Sequence, residues 1–217
     1  MRNISSGYDS TASNWKAFLQ AWRDAPKEYP DISLVCSINL EHGESEAKID
    51  ALRQRLGLDR LPASFVDFLR VASVVGTSSD VGGSEIYPLE KIDYLSRVDK
   101  EYFEFLKDGE PDSSDAEYFV YGVGQDNATS KNEFLDGMIV IGALYPDDYL
   151  LLNSCVQTKD GEFECVLDGH GFRIRTMSFA AMMRFWCVYE CNKVDSYPPY
   201  PESMLNSGPP SFIKSGV

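Results

Sequence analysis

The sequence predicts an α+β fold, a mainly antiparallel sheet flanked by helices in a single domain. Two observations carry that prediction. Three short apolar runs follow one another with turn residues between them: Gly137-Met-Ile-Val-Ile-Gly142, Asp148-Tyr-Leu-Leu-Leu-Asn153 and Gly161-Glu-Phe-Glu-Cys-Val-Leu167. Runs of that length separated by turns read as an antiparallel meander. A helix with an apolar face, about Ser178 to Glu190, closes the meander, and helices precede the strands rather than alternating with them. That order favours α+β over a doubly wound parallel sheet.

The elements follow in chain order. Ser13 is read as the N-cap of a first helix. In it Trp15, Phe18, Leu19 and Trp22 share one face at i, i+3, i+4 and i+7 spacing. Pro26 and Pro30 are expected to end it. Ile32 to Leu40 reads as a strand or packed extended segment. Glu44 opens a second helix with Ile49, Leu52 and Leu56 inward and Gly57 as the residue after its cap. Leu61-Pro62 restarts helix, with Pro62 at the first helical position and Phe65, Phe68, Leu69 and Ala72 inward. Gly76 to Ser84 reads as a loop, and Glu85 to Leu89 as a short edge or end strand bearing Pro88. Lys91 to Lys107 reads as one helix with Ile92, Leu95, Tyr102 and Leu106 inward, Asp108 to Glu117 as an acidic loop, Tyr118 to Val123 as a strand, and Gln125 to Asn132 as a polar loop. Residues 192–217 form a Pro/Ser-rich tail, with Tyr197-Pro-Pro-Tyr-Pro201 and Ser207-Gly-Pro-Pro-Ser211.

Charge narrows the function classes. The chain carries a net charge of −14, so neither non-specific nucleic-acid binding nor attraction to an anionic membrane is expected. The N-terminal residues lack the apolar core of a signal peptide. The Met138 to Leu144 run is too short to span a bilayer. A cytoplasmic location follows as the expectation, with the five cysteines reduced.

Motifs for chemistry are sparse. Cys155, Cys165, His170, Cys187 and Cys191 lack the tight Cys-x-x-Cys spacing of a zinc knuckle, so no metal is expected. A three-residue Lys159-Asp160-Gly161 loop would place Cys155 opposite Cys165, whereas a two-residue Asp160-Gly161 turn would separate them. Free thiols are expected with either. Asp168 and His170 could be imagined in a triad, but no Gly-x-Ser-x-Gly elbow accompanies them. Gly122-Val-Gly124 lacks the third glycine of a dinucleotide loop. Nothing singles out a pair of acids for glycosidase chemistry. No catalytic residue and no cofactor are assigned.

The order of motifs resembles the SUKH superfamily, the Smi/Knr homology domain. The second helix ends in Leu56-Gly57. Leu61-Pro62-x-x-Phe65-x-x-Phe68-Leu69 comes next, then a glycine-rich loop, then Ile86-Tyr-Pro-Leu89-x-x-Ile92. The later Ile139-Val-Ile-Gly142, Asp148-Tyr-Leu-Leu-Leu-Asn153, Asp160-Gly-Glu-Phe-Glu164 and Ser178-Phe179 continue the pattern. The likeness covers about Glu44 to Glu190, and it lies in order and spacing. One departure is that the family's Asn-Gly pair after the Leu-Pro helix is replaced by Val74-Val75-Gly76. The resemblance implies a SUKH-like domain over 44–191, with 1–43 as a helical extension packed on it and 192–217 as the tail. It further implies a non-catalytic binding module: an immunity protein that blocks a cognate toxin, such as a nuclease, or a regulator or scaffold for an endogenous partner.

Charge supplies an independent hint about the surface. Asp80 to Asp136 holds 15 acidic and 5 basic residues, a net of −10, and an acidic surface can steer onto a basic partner. The residues expected to meet that partner are Asp80, Glu101, Glu104, Asp108, Glu110, Asp112 and Asp115, together with the turn residues Asp147, Asp148 and Asp160. Tyr87, Tyr118, Tyr121, Tyr145 and Tyr149 are candidate anchors.

Overall fold

The computed structural model describes residues 2–4, 12–28, 35–79, 82–109, 112–144, 148–169 and 172–192. Within them the chain begins with strand β1 (Arg2–Ile4), helix α1 (Ala12–Glu28) and strand β2 (Val35–Asn39). Helices α2 (Glu46–Arg55) and α3 (Ala63–Val71) follow, then strands β3 (Val74–Ser79) and β4 (Gly82–Ile86). A 3-10 turn at Leu89–Lys91 leads into β5 (Asp93–Tyr94). Four short helices come next: α4 (Leu95–Val98), α5 (Lys100–Gly109), α6 (Asp115–Tyr118) and α7 (Asn132–Leu135). The meander is β6 (Met138–Leu144), β7 (Tyr149–Thr158), β8 (Phe163–Gly169) and β9 (Phe172–Thr176), closed by α8 (Phe179–Asn192).

The strands form one sheet in the order β2-β3-β4-β6-β7-β8-β9, with β5 on β6 and β1 on β7. Every pairing among the described residues is antiparallel except that of β1 with β7. The α+β class expected from the sequence is the class observed.

Helices cover both faces of the sheet, which explains why the strands are continuous apolar runs rather than apolar–polar alternations. Along β6 and β7, Ile139, Ile141, Leu150 and Leu152 point to one side. There they join Trp15, Leu19 and Trp22 of α1, Ile49 and Leu52 of α2, Phe65 and Phe68 of α3, and Phe179 and Trp186 of α8. Their neighbours Met138, Val140 and Leu151 point to the other side, against Leu95, Phe103, Leu106, Tyr118, Phe134 and Leu135 from α4 to α7. The first face is rich in aromatic contacts: Trp15 stands edge-on to Phe68 at 5.4 Å and Trp22 edge-on to Trp186 at 5.0 Å. The second face mixes apolar residues with buried charge.

Local signals placed several elements well. Ser45 caps α2 by accepting from the Lys48 amide, and Gly57 follows the Leu56 cap with φ +66°. Ser178 accepts from the Ala181 amide at 3.2 Å at the start of α8. The β7–β8 connection is the three-residue loop Lys159 to Gly161, with Gly161 at φ +88°. The Thr158 amide donates to the Glu162 carbonyl at 2.8 Å. Cys155 nevertheless does not oppose Cys165. A bulge between Asn153 and Gln157 shifts the register so that Cys165 faces Leu152, and Cys155 and Cys165 are free thiols.

Other expectations are corrected. α1 begins at Ala12, so Ser13 lies inside it, and it runs through Pro26 to Glu28. Pro62 is the N-cap of α3 rather than its first residue. Within the stretch read as a loop, 76–79 and 82–84 are instead strand, in β3 and β4, because β2 and β6 pair the outer edges of these two strands and override the weak strand propensity of Gly and Ser. β4 is thus an interior strand, and Pro88 falls beyond its end. Lys91 to Lys107 is not one helix. Asp93 and Tyr94 pair with β6, and Asp99 ends α4 and begins α5. The expected strand at Tyr118 to Val123 is instead the end of α6 and a 3-10 turn at Gly122–Gly124. A capping box between Ser114 and Glu117 starts helix there, inside a stretch read as loop. β9 had no counterpart in the expectations.

Gly142 shows how closely the sheet is built. A Cβ there would stand 2.3 Å from the Glu85 carbonyl oxygen, where β4 pairs with β6. Gly142→Ala is expected to lower stability by about 1–3 kcal/mol through overpacking. A urea midpoint equal to wild type would contradict that close approach.

Candidate partner-binding surface

Among the described residues, the acidic residues picked out by charge do not form one patch. Glu101, Glu104 and Asp108 are all exposed and all lie on α5. Asp108 sits in the last turn of that helix, not in a loop. Asp112 and Asp115 have structural work instead. Asp112 accepts from the Asn132 amide at 2.6 Å at the start of α7, and Asp115 pairs with Lys131, which also meets Glu133 at 2.7 Å. Asp148 is half-buried at the entry to β7, its carbonyl accepting from the Leu144 amide at 2.9 Å. Asp160 is exposed at the β7–β8 tip. That tip lies by the α2–α3 connection, where a Cβ on Gly161 would meet the Arg60 guanidinium, so it belongs with the helix layer opposite α5. Asp80, Glu110 and Asp147 lie outside the described residues, as do Tyr145 and His170.

α5 owes its position to Asp99. One carboxylate oxygen accepts from the Tyr102 amide at 2.9 Å and the other from the Tyr149 hydroxyl at 2.8 Å. The amide bond first, then the hydroxyl, holds the Asp99 carboxyl below its usual range. Asp99 therefore adds stability above the ordinary aspartate pKa, and that share is lost as pH falls through its lowered value. Asp99→Ala should cost about 1 kcal/mol at pH 7 and flatten the acid limb of the stability curve; a parallel acid limb would refute the cap.

On the outer side of α5, Phe105 is 63% exposed. Its ring stacks on Tyr102 (6.2 Å between centroids, 18° between planes), and Tyr102 in turn meets Tyr149 at 5.6 Å. The Tyr102 hydroxyl meets Asp168 and Arg173, and burial above all raises its pKa. Asp168 and Arg173 are an ion pair at 2.9 Å, both almost fully buried. Asp168, the acid considered for a triad, is thus engaged by Arg173, across the β8–β9 pairing.

A second buried charge group lies under α6. Glu164 is fully buried. Its carboxylate accepts from the Tyr118 hydroxyl at 2.7 Å, the Tyr121 hydroxyl at 2.8 Å and the Asn153 amide at 2.7 Å. The Arg175 guanidinium sits 4.3 Å from the Tyr118 ring centroid and donates to the Tyr118 carbonyl. Gln125 brackets the Arg175 backbone, accepting from its amide at 2.8 Å and donating to its carbonyl at 3.3 Å. Burial raises the Glu164 pKa, against the pull of its hydrogen bonds and of Arg175. Tyr118 is consequently a core residue, not an anchor for a partner.

Glu162 is buried on the other face. It accepts from the Ser64 amide at 2.8 Å and from the Ser64 hydroxyl, placing a carboxylate on the first turn of α3. Burial raises its pKa. Neither group was marked by the sequence reading. For Glu164 and Arg175 the signal available was the charged–apolar alternation Glu164-Cys165 and Arg173-Ile-Arg175, which puts charges on a face that is covered; Glu162 precedes β8 and lies outside that alternation.

The thiols of Cys155 and Cys165 are both raised by burial, Cys165 strongly, which disfavours the thiolate a metal or nucleophile role requires. Among the described residues no three His, Cys, Asp or Glu side chains stand together as a metal site, and no helix is long and apolar enough to cross a membrane. No family model matches the chain, and no curated protein matches it.

Proposed function

We propose that this chain is a SUKH-like immunity protein of the cytoplasm, which binds a cognate protein toxin and occludes its active site without catalysis of its own. The observation that carries this reading is the exposed face of α5, where Glu101, Glu104 and Asp108 present carboxylates to solvent while Asp112 and Asp115 are taken up by the fold. A nuclease or other effector acting on phosphates carries a basic cleft. A localised acidic face steers onto such a cleft and raises the rate of encounter. The order of motifs shared with SUKH proteins supports the same reading. So does the closure of the buried carboxylates Glu162 and Glu164 by the protein's own hydroxyls and amides.

The test is co-expression with the product of the adjacent reading frame. Growth arrest by that product, relieved by this chain, with the two proteins co-purifying, is the expected result. Unrelieved arrest sinks the reading. Relief without co-purification would replace occlusion with an indirect, regulatory role.

A further inference from the structure

We infer that Phe105 is the central anchor of the partner interface, and that the partner presents an apolar pocket for a phenyl ring framed by lysine or arginine side chains. This inference rests on the toxin-binding reading and deepens it.

Three independent features of α5 point to that chemistry. The first is exposure. Phe105 is 63% exposed although Phe103 and Leu106 on either side are buried. The second is support. A single exposed apolar residue is ordinary, but this ring is stacked on Tyr102, which leans on Tyr149, whose hydroxyl is fixed by Asp99. A ring already held in place loses little freedom on binding, which is the property of a preorganised anchor. The third is the distribution of charge around it. At 3.6 residues per turn, Glu101 and Asp108 lie about 40–60° from Phe105 around the helix and Glu104 about 100°. The lysines of the same helix, Lys100 and Lys107, lie about 140–160° away, and the Lys107 ammonium is drawn back over the Phe103 ring at 5.7 Å. Of the charged residues on α5, those nearest the anchor around the helix are therefore carboxylates. A second copy of this chain is a poor occupant, since it would bring the same carboxylates against these.

Such an arrangement assigns separate roles: carboxylates govern encounter and orientation, and the aromatic ring governs residence time. The experiment uses the full chain and the purified product of the adjacent reading frame, with binding followed by surface kinetics at several salt concentrations. Phe105→Ala is expected to weaken affinity at least about 30-fold, almost entirely through faster dissociation. The triple variant Glu101→Gln/Glu104→Gln/Asp108→Asn is expected to slow association about 10-fold or more at low salt and to flatten the salt dependence. Because Phe105 is exposed, its unfolding midpoint should match wild type, so lost binding cannot be attributed to misfolding. If wild type binds and Phe105→Ala binds equally well, this inference is overturned while the immunity reading stands. If wild type does not bind the product at all, both fall. If the chain alone dimerises and Phe105→Ala makes it monomeric, the occupant is a second copy and the inference is wrong.

Discussion

Arg175→Leu lowers the stability of this protein by about 3–5 kcal/mol, the expected cost of removing a buried cation that lies near a buried carboxylate and donates to the Tyr118 carbonyl. The guanidinium lies against the Tyr118 ring and answers the charge of Glu164, which is shut away from water behind two tyrosine hydroxyls and an asparagine amide. Without Arg175 the carboxylate keeps its hydrogen bonds but loses the nearby cation. Glu164→Gln in the same background should recover part of the loss, because the uncompensated charge is gone. It should not recover all, since an amide nitrogen cannot accept the hydroxyl and amide bonds that Glu164 receives. The double-mutant cycle therefore shows a coupling energy well above the few tenths expected of independent sites.

The sign of the pH dependence follows from the same group. Burial raises the folded-state pKa of Glu164 above its ordinary 4.5. The folded form then holds its proton more tightly than the unfolded chain does. The associated stability is complete below the ordinary value and is lost as pH rises through the raised one. Arg175 counteracts that rise, so Arg175→Leu should lose stability more steeply with increasing pH than wild type, and Glu164→Gln less steeply. Urea midpoints measured from pH 4.5 upward check both; a single variant within 1 kcal/mol of wild type, with an unchanged pH slope, would refute the ionic coupling.

The second large effect belongs to the opposite face. Trp22→Ala is expected to cost about 3–5 kcal/mol. The Trp22 ring is fully buried against Trp186, while Trp15 on the same helix meets Phe68 and Phe179. These contacts join α1 to α3 and α8, so the helix near the N-terminus is part of the central core of the described structure rather than a loose addition to it. Unfolding followed by urea should show a lowered midpoint with an unchanged slope. A loss under 1 kcal/mol, or a separate early transition, would mean that α1 comes away on its own.

Which of these features were legible beforehand depended on how local their causes are. The α1 stripe was legible, because Trp15, Leu19 and Trp22 recur at helical spacing and all three are buried. The Gly57 cap and the Gly161 loop were legible because positive φ selects glycine. The β3–β4 hairpin was not, since Gly76, Gly82 and Gly83 argue for loop, and only the pairing with β2 and β6 makes them strand. Nor was the fate of Tyr118, whose hydroxyl is drawn to Glu164, 46 residues away.

The candidate surface divides in the same way. Glu101, Glu104 and Asp108 were identified by charge, and they do share an exposed helix. Asp112 and Asp115 carry the same charge but are occupied by the Asn132 amide and by Lys131. Phe105 went unmarked, because an aromatic in an amphipathic helix is expected to face inward, and here Phe103 and Leu106 take the inward places.

By itself, the sequence determined the α+β class, the helical faces that build the apolar core and the acidic character of the stretch from Asp80 to Asp136. Each of these follows from periodicity or composition, which act between residues close along the chain. Tertiary structure alone decided that the sheet is covered on both faces, that Glu164 and Arg175 share a dry site, and which carboxylates remain open to solvent. Those outcomes depend on distances between residues far apart in the chain. A buried charge is tolerated only where such distant groups arrive within hydrogen-bond reach.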